Sequence, residues 1–392
     1  MRYLVALFLL FAPTTHALSA QQDSPRKYES KNFSVLTDLP EKEAQELLKK
    51  LETMLGLISK YWAVPNRKQI ECVVVKDLSN WANTPIDQRA IPSLRAKAGI
   101  TLFDYKRRGN RVSAQAVAYA YGKTSFVQHE AVHAFSYYSF GHCGPLWYAE
   151  GMAEVGSYWV EGETRVTAPQ YVTQYLRRSK RRSVKEVTTG KTARVGSWQT
   201  YAWRWALCHL LANNPNYAKR FRPLGLSMLA KKKGSFSATY GKQLKELEFE
   251  YNFFLDHVAP GFDVGRCSWD WNARFRKLKE GKSTAVEIKA DQGFKPSRVR
   301  IEEGRRYKVS SRGEWKLTKD GDAVTPGDVV APIEAVVMNG RLELGQPFDV
   351  GRTGEFTAKE SGDLYLRCGD DWTKLNDNSG EATITVQLIE AD

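Results

Sequence analysis

The chain has 392 residues, 42% of them hydrophobic and 26% charged, enough apolar material for two or three domains. No apolar run approaches the roughly 20 residues that span a bilayer, which excludes a membrane-embedded protein, and 11 Trp, 18 Tyr and 17 Phe exclude a disordered one. The net charge of +14 is uneven: residues 263–392 hold 21 Lys and Arg against 23 Asp and Glu, the remainder 37 against 21.

Arg2, the apolar stretch Tyr3 to Ala12 and the small residues Ala17, Ser19 and Ala20 read as a secretory signal over residues 1–20. Gln21 stands where a lipoprotein signal needs Cys, so no lipid anchor and no transmembrane anchor are expected, and the protein is expected to be secreted or periplasmic. Export permits disulfides. The cysteines are Cys72, Cys143, Cys208, Cys267 and Cys368; none forms C-x-x-C, and Cys267 and Cys368 are placed to staple a C-terminal domain.

Residues 32–39 read as a strand. Ala44, Leu47, Leu48, Leu51, Met54, Leu55 and Ile58 step by three and four, which predicts an amphipathic helix over 41–62. Strands follow at 69–75, 100–105 and 112–119, the last two joined through Arg107-Arg108-Gly109-Asn110. Helical patterns fill 124–140, 145–160, 168–178, 197–213, 216–232 and 238–257. After Pro260-Gly261 the rhythm changes. Short alternating runs at 285–290, 297–301, 306–310, 333–338, 353–358, 363–367 and 382–389, parted by Gly-containing turns, predict a β-sandwich. The expected organisation is therefore an α+β domain over 21–262 followed by an all-β sandwich over 263–392. The basic runs Arg177 to Arg182 and Lys231 to Lys233 suit either an anionic polymer or a solvated helix end. Export argues against nucleic acid.

Chemistry concentrates at His129-Glu130-Ala131-Val132-His133. On a helix, His129 and His133 share one face and can hold one zinc ion, with Glu130 beside them to take a proton from a metal-bound water. Zinc hydrolases use three protein ligands. A third His six residues after His133 is absent, because that position is Ser139. His142 is one candidate; the better one is Glu150, 17 residues after His133, on a second helix that begins after Gly144-Pro145.

His129-Glu130-x-x-His133 followed by Trp147-x-x-Glu150-Gly151-x-Ala153-Glu154 resembles the gluzincin metallopeptidases, and within them a group of secreted bacterial proteins of largely unknown function. The resemblance covers roughly 95–260 and implies a gluzincin-like α+β metallopeptidase domain. It implies that Glu150 ligates zinc and that Glu154, one turn on, orients a ligand histidine from behind. It also implies a Tyr near the zinc that stabilises an oxyanion, for which Tyr201 in Tyr201-Ala202-Trp203-Arg204-Trp205 is the candidate. His209 reads as a core residue.

Gly362-Asp363-Leu364-Tyr365-Leu366-Arg367-Cys368-Gly369-Asp370-Asp371, with Asn376-Asp377-Asn378-Ser379-Gly380 before the last strand, resembles the small calcium-dependent galactose-binding lectins. The resemblance implies Ca2+ held among Asp370, Asp371, Asp377 and Asn378 and leaves open which of them ligate. The loop is about a residue shorter than in those lectins. The expected function is an exported Zn2+-dependent peptidase acting on a peptide or protein substrate, tethered through its C-terminal domain to a carbohydrate or cell-surface polymer. The alternative is a non-catalytic, calcium-dependent carbohydrate-binding or adhesion protein on an inactive gluzincin scaffold. The presence of Glu130 favours the enzyme.

Overall fold

The computed structural model describes residues 24–108, 111–190, 197–232, 234–351 and 354–389. The expected secretory segment lies outside the described residues, as do Gly109 and Asn110 of the expected turn.

The first elements are β1 (Arg26–Glu29), β2 (Phe33–Thr37), α1 (Glu41–Trp62), β3 (Ile70–Val75), α2 (Ile91–Arg95), β4 (Gly99–Arg108) and β5 (Arg111–Tyr121). Their strands form one sheet in the order β1-β2-β3-β5-β4. β2 runs parallel to β3, and β3 parallel to β5, while β1 and β4 pair antiparallel at the two edges. A parallel pair needs a crossover, and α1 is the one between β2 and β3. It buries the expected apolar stripe, from Ala44 to Ile58, and adds Trp62. The chain leaves α1 at Ala63 in the left-handed region, φ 51°, with the Ala63 N–H returned to the Lys60 carbonyl.

Eight helices follow among the described residues: α3 (Thr124–Phe140), α4 (Leu146–Tyr158), α5 (Gln170–Arg178), α6 (Val184–Thr189), α7 (Trp198–Asn213), α8 (Ala218–Leu229), α9 (Phe236–Tyr240) and α10 (Leu244–His257). Gly141, at φ 78°, ends α3, and Pro145 is the N-cap of α4. Two glycines set how closely α4 packs. A Cβ on Gly151 would lie 2.4 Å from the Cys208 sulfur and 2.8 Å from the Arg204 carbonyl oxygen of α7. One on Gly156 would lie 2.6 Å from Val132 of α3. Only bare backbone lets α4 sit against both partners. The basic run between α5 and α6 is partly built in: Arg181 donates to the Leu176 carbonyl and pairs with Asp256.

The remaining strands are β6 (Ser283–Lys289), β7 (Lys295–Ile301), β8 (Arg306–Lys316), β9 (Ile333–Met338), β10 (Phe348–Val350), β11 (Glu355–Thr357), β12 (Gly362–Cys368) and β13 (Ser379–Leu388). They form two four-stranded sheets, β10-β9-β12-β7 and β11-β8-β13-β6, antiparallel throughout. Alternate residues such as Val299, Ile301, Ile333, Leu364, Leu366 and Ile384 fill one core between them. Trp315 is fully buried there and donates its indole N–H to the Ile288 carbonyl at 3.2 Å. The chain is thus a mixed α/β part followed by two packed antiparallel sheets.

The expected boundary at 262 lies in the stretch that connects the two parts. Phe262, Val264 and Cys267 pack into the helical core. Trp269 joins Phe253 of α10 to Phe294, Val336 and Tyr365 of the strands. The Trp271 indole donates to the buried Glu250 carboxylate at 2.6 Å. The expected Cys267–Cys368 staple is corrected here: all five cysteines are free. Cys267 belongs to the helical core and Cys368 to the sandwich core, so each thiol is buried on its own side.

Candidate metal centre

His129 and His133 lie four residues apart on α3, so one helix turn brings their rings together edge to face, with centroids 4.8 Å apart. α4 returns across them and brings Glu150. The two imidazole Nε2 atoms are 3.1 Å apart, and the Glu150 Oε2 atom is 3.2 Å from that of His129 and 3.5 Å from that of His133. A tetrahedral ion with bonds of about 2.0–2.1 Å has ligand edges of roughly 3.3 Å. The three separations fit that figure, and the donor set of two imidazoles and one carboxylate is one zinc accepts. Among the described residues this is the group of three or more His, Cys, Asp and Glu that could hold a metal ion. His129 and Glu150 are buried and His133 is half-buried.

Glu154 lies one turn beyond Glu150 and accepts from the other nitrogen of His129, with Nδ1 to Oε1 at 2.9 Å. That contact fixes the ring and leaves Nε2 facing the cluster. Burial alone would lower the His129 pKa, but its bonds to Glu150 and Glu154 reverse this and push it up to about 10. His133 is also raised despite burial, by the Cys143 thiol and by Glu150. Burial opposes ionisation of Glu150, and the two histidines outweigh it and hold the carboxyl below its usual range. The carboxylates thus favour positive charge at the two imidazoles, which a proton or a metal ion would supply.

The Glu130 side chain lies against the edge strand β4. Thr101 of β4 donates its hydroxyl to Glu130 Oε2 at 2.7 Å and to the Glu130 carbonyl at 2.9 Å. The Glu130 side chain occupies the place of a missing Cβ: one built on Gly99 would lie 2.6 Å from Glu130 Cγ. Sequence reasoning missed both residues. Thr101 carries no motif, and its contact is set by how β4 passes α3. Tyr201, in the first turn of α7, lies over the cluster with its ring centroid 5.4 Å from that of His129. Burial pushes its phenol well above the usual range, so it stays a hydroxyl donor at neutral pH.

His142 does not join the group; its Nδ1 accepts from the Gly144 N–H at 3.0 Å. His209 is buried on α7 between Trp205 and Phe254, and burial pushes it down to about 4. It is a neutral core residue, as expected.

The four candidate calcium residues separate into two kinds. Asp371 serves its own turn, accepting from the Thr373 N–H at 2.9 Å and hydroxyl at 2.8 Å. Asp370 Oδ2, Asp377 Oδ1 and Asn378 Oδ1 are buried without a hydrogen-bond partner among the described residues. Asp291 Oδ1, which sequence reasoning did not single out, is in the same state. Its neighbour Ala290 accepts from the Asn378 amide at 3.2 Å. Such oxygens suit a calcium ion, although the aspartates do not form a three-residue metal group of the kind seen at His129.

No family model matches the chain, and no curated protein matches it. Among solved structures, the EclA N-terminal domain, a PllA-like lectin, matches at 14% identity over 27% of this chain and 95% of that one, with a TM-score of 0.21. PliG of Salmonella Typhimurium, a periplasmic inhibitor of g-type lysozyme, matches at 14% identity over 32% of this chain and 98% of that one, with a TM-score of 0.19. Nothing about this chain's activity follows from likenesses at that level. No helix among the described residues is long and apolar enough to cross a membrane.

Proposed function

We propose that the protein is an exported zinc-dependent hydrolase of gluzincin type, acting on peptide bonds. The observation that carries this reading is the meeting of His129, His133 and Glu150 at tetrahedral ligand spacing, with Glu154 behind His129. Bound zinc supplies a Lewis acid that polarises a carbonyl and acidifies a water. The chain's own residues do the rest. Glu130 accepts the proton from the attacking water and returns it to the leaving amine. Thr101 holds the Glu130 carboxylate by its Oε2. The Tyr201 hydroxyl is the donor in reach of the oxyanion that develops on the substrate carbonyl. Metal analysis and a peptide-library digest of the purified chain test this together. About one zinc per chain with cleavage that stops on chelation is the expected result. Metal-free protein that binds no added zinc would overturn the reading.

A second reading rests on the buried, unpartnered oxygens of Asp370, Asp377 and Asn378. In it the β-sandwich is a calcium-dependent module that holds a carbohydrate or cell-surface polymer, as a tether for the enzyme or as the protein's whole function. Calcium would satisfy these oxygens and stabilise the folded state by mass action, about 2.7 kcal/mol at a hundredfold excess over its dissociation constant. In thermal unfolding of the full chain, the transition of the sandwich should rise with calcium and fall with chelator. Asp377→Ala should remove that response. Identical melting with calcium and chelator would dispose of the calcium site.

A further inference from the structure

Arg204 is a buried cation that nothing in the proposed hydrolysis uses. It stands on α7 one turn after Tyr201 and is 4% exposed. Its Nη1 is buried with no hydrogen-bond partner among the described residues, and no ion pair there reaches its guanidinium. Glu150 attracts it without a hydrogen bond, and burial pushes it below the usual arginine range. An arginine nitrogen left buried without an acceptor is costly, and the Tyr201 ring, 5.9 Å from the Arg204 guanidinium, offers it no hydrogen-bond acceptor of that strength. Such a group is kept where a ligand completes it.

The surroundings identify the ligand. Arg204 lines a small pocket with Arg182, Glu186, Val187, Thr200 and Trp203, where α6 meets the first turn of α7. Arg182 is a second cation, with no ion pair among the described residues. The 16-residue helix α7 presents its positive end there. The carboxylate on the rim, Glu186, is engaged in the capping box of α6, accepting from the Ser183 N–H at 2.7 Å and its hydroxyl at 2.9 Å. One side chain separates the pocket from the metal cluster: the Arg204 guanidinium lies 5.9 Å from the Tyr201 ring, which lies 5.4 Å from the His129 ring.

We propose that Arg204, Arg182 and Thr200 form an anion pocket beside the metal centre that binds one oxyanion group of the substrate, a carboxylate. Its use in catalysis rests on the hydrolase reading, to which it adds a substrate class: acidic peptides, held by a side-chain or terminal carboxylate next to the scissile bond.

Binding tests the pocket without activity. The purified chain is titrated with succinate, inorganic phosphate and uncharged succinamide, by calorimetry and by thermal unfolding. Succinate is expected to bind and raise the melting temperature, and succinamide to do neither. Phosphate binding tighter than succinate would overturn the carboxylate assignment in favour of a phosphorylated substrate. Arg204→Met should weaken succinate binding by about tenfold or more. It should leave the ligand-free melting temperature unchanged or higher, because it removes an unpaired buried charge. Arg182→Met, at a less buried position, should weaken binding in a normally folded protein and decides the matter if Arg204→Met does not fold. Undiminished succinate binding in Arg182→Met, or no response of the wild type to either anion, overturns the pocket and leaves zinc content and hydrolysis as they were. Anion binding by a protein that takes up no zinc would overturn the hydrolase reading alone.

Discussion

Glu130→Gln should abolish hydrolysis while keeping zinc and fold. The expected loss is on the order of a thousandfold or more, since a positioned general base contributes about 10²–10⁴ and the same group serves again as acid. The amide matches the carboxylate in shape. It can still accept from the Thr101 hydroxyl, which sits 2.7 Å from Glu130 Oε2, and it still lies against the bare backbone of Gly99. What it lacks is the ability to take a proton from water. Zinc content should stay near one per chain, because Glu130 is outside the ligand group. The melting temperature should be close to that of the wild type. Cleavage by this variant at near wild-type rate would show that the proton goes elsewhere, and the proposed mechanism would be wrong.

Much of this arrangement is legible in the sequence, and the exceptions have physical reasons. The helix over 41–62 is announced by seven apolar residues at steps of three and four, and the structure places it at Glu41–Trp62. The metal ligands are legible because helix geometry turns the spacing of His129 and His133 into a shared face. Glu150 needs only a turn and a returning helix. What sequence periodicity does not carry is closeness between distant elements. The roles of Gly151 and Gly156 appear only once α4 is seen against Cys208 and Val132. Thr101 reaches Glu130 because β4 is the sheet edge that passes α3. Short elements also escape: α6 has six residues and β10 three, fewer than a period needs to declare itself. Yet α6 had a signal, the capping box of Ser183 and Glu186.

Glu150→Ala should cost the protein its zinc. Three donors hold the proposed ion, and removing the carboxylate leaves two neutral imidazoles and no anionic donor for a dication. Affinity should fall on the order of a thousandfold, enough for the variant to be isolated largely metal-free. Glu154→Ala should fall by only about 10–100-fold, because it loosens the orientation of His129 without removing a donor. That order, Glu150 far above Glu154, separates a ligand from a residue that acts through one. His142→Ala should change nothing, since its Nδ1 is occupied by the Gly144 N–H at 3.0 Å. The sign of the pH dependence follows. Bound zinc requires His129 and His133 to be neutral, so acid should release the metal from the wild type as protons compete for the imidazoles. Removing Glu150 also removes one of the groups that raise the pKa of both histidines in the metal-free state, while Glu154 and Cys143 remain. The variant's weak residual binding should therefore persist to lower pH than the wild type's proton competition alone would allow. Stoichiometric zinc in purified Glu150→Ala would remove Glu150 from the ligand set and return His142 to consideration.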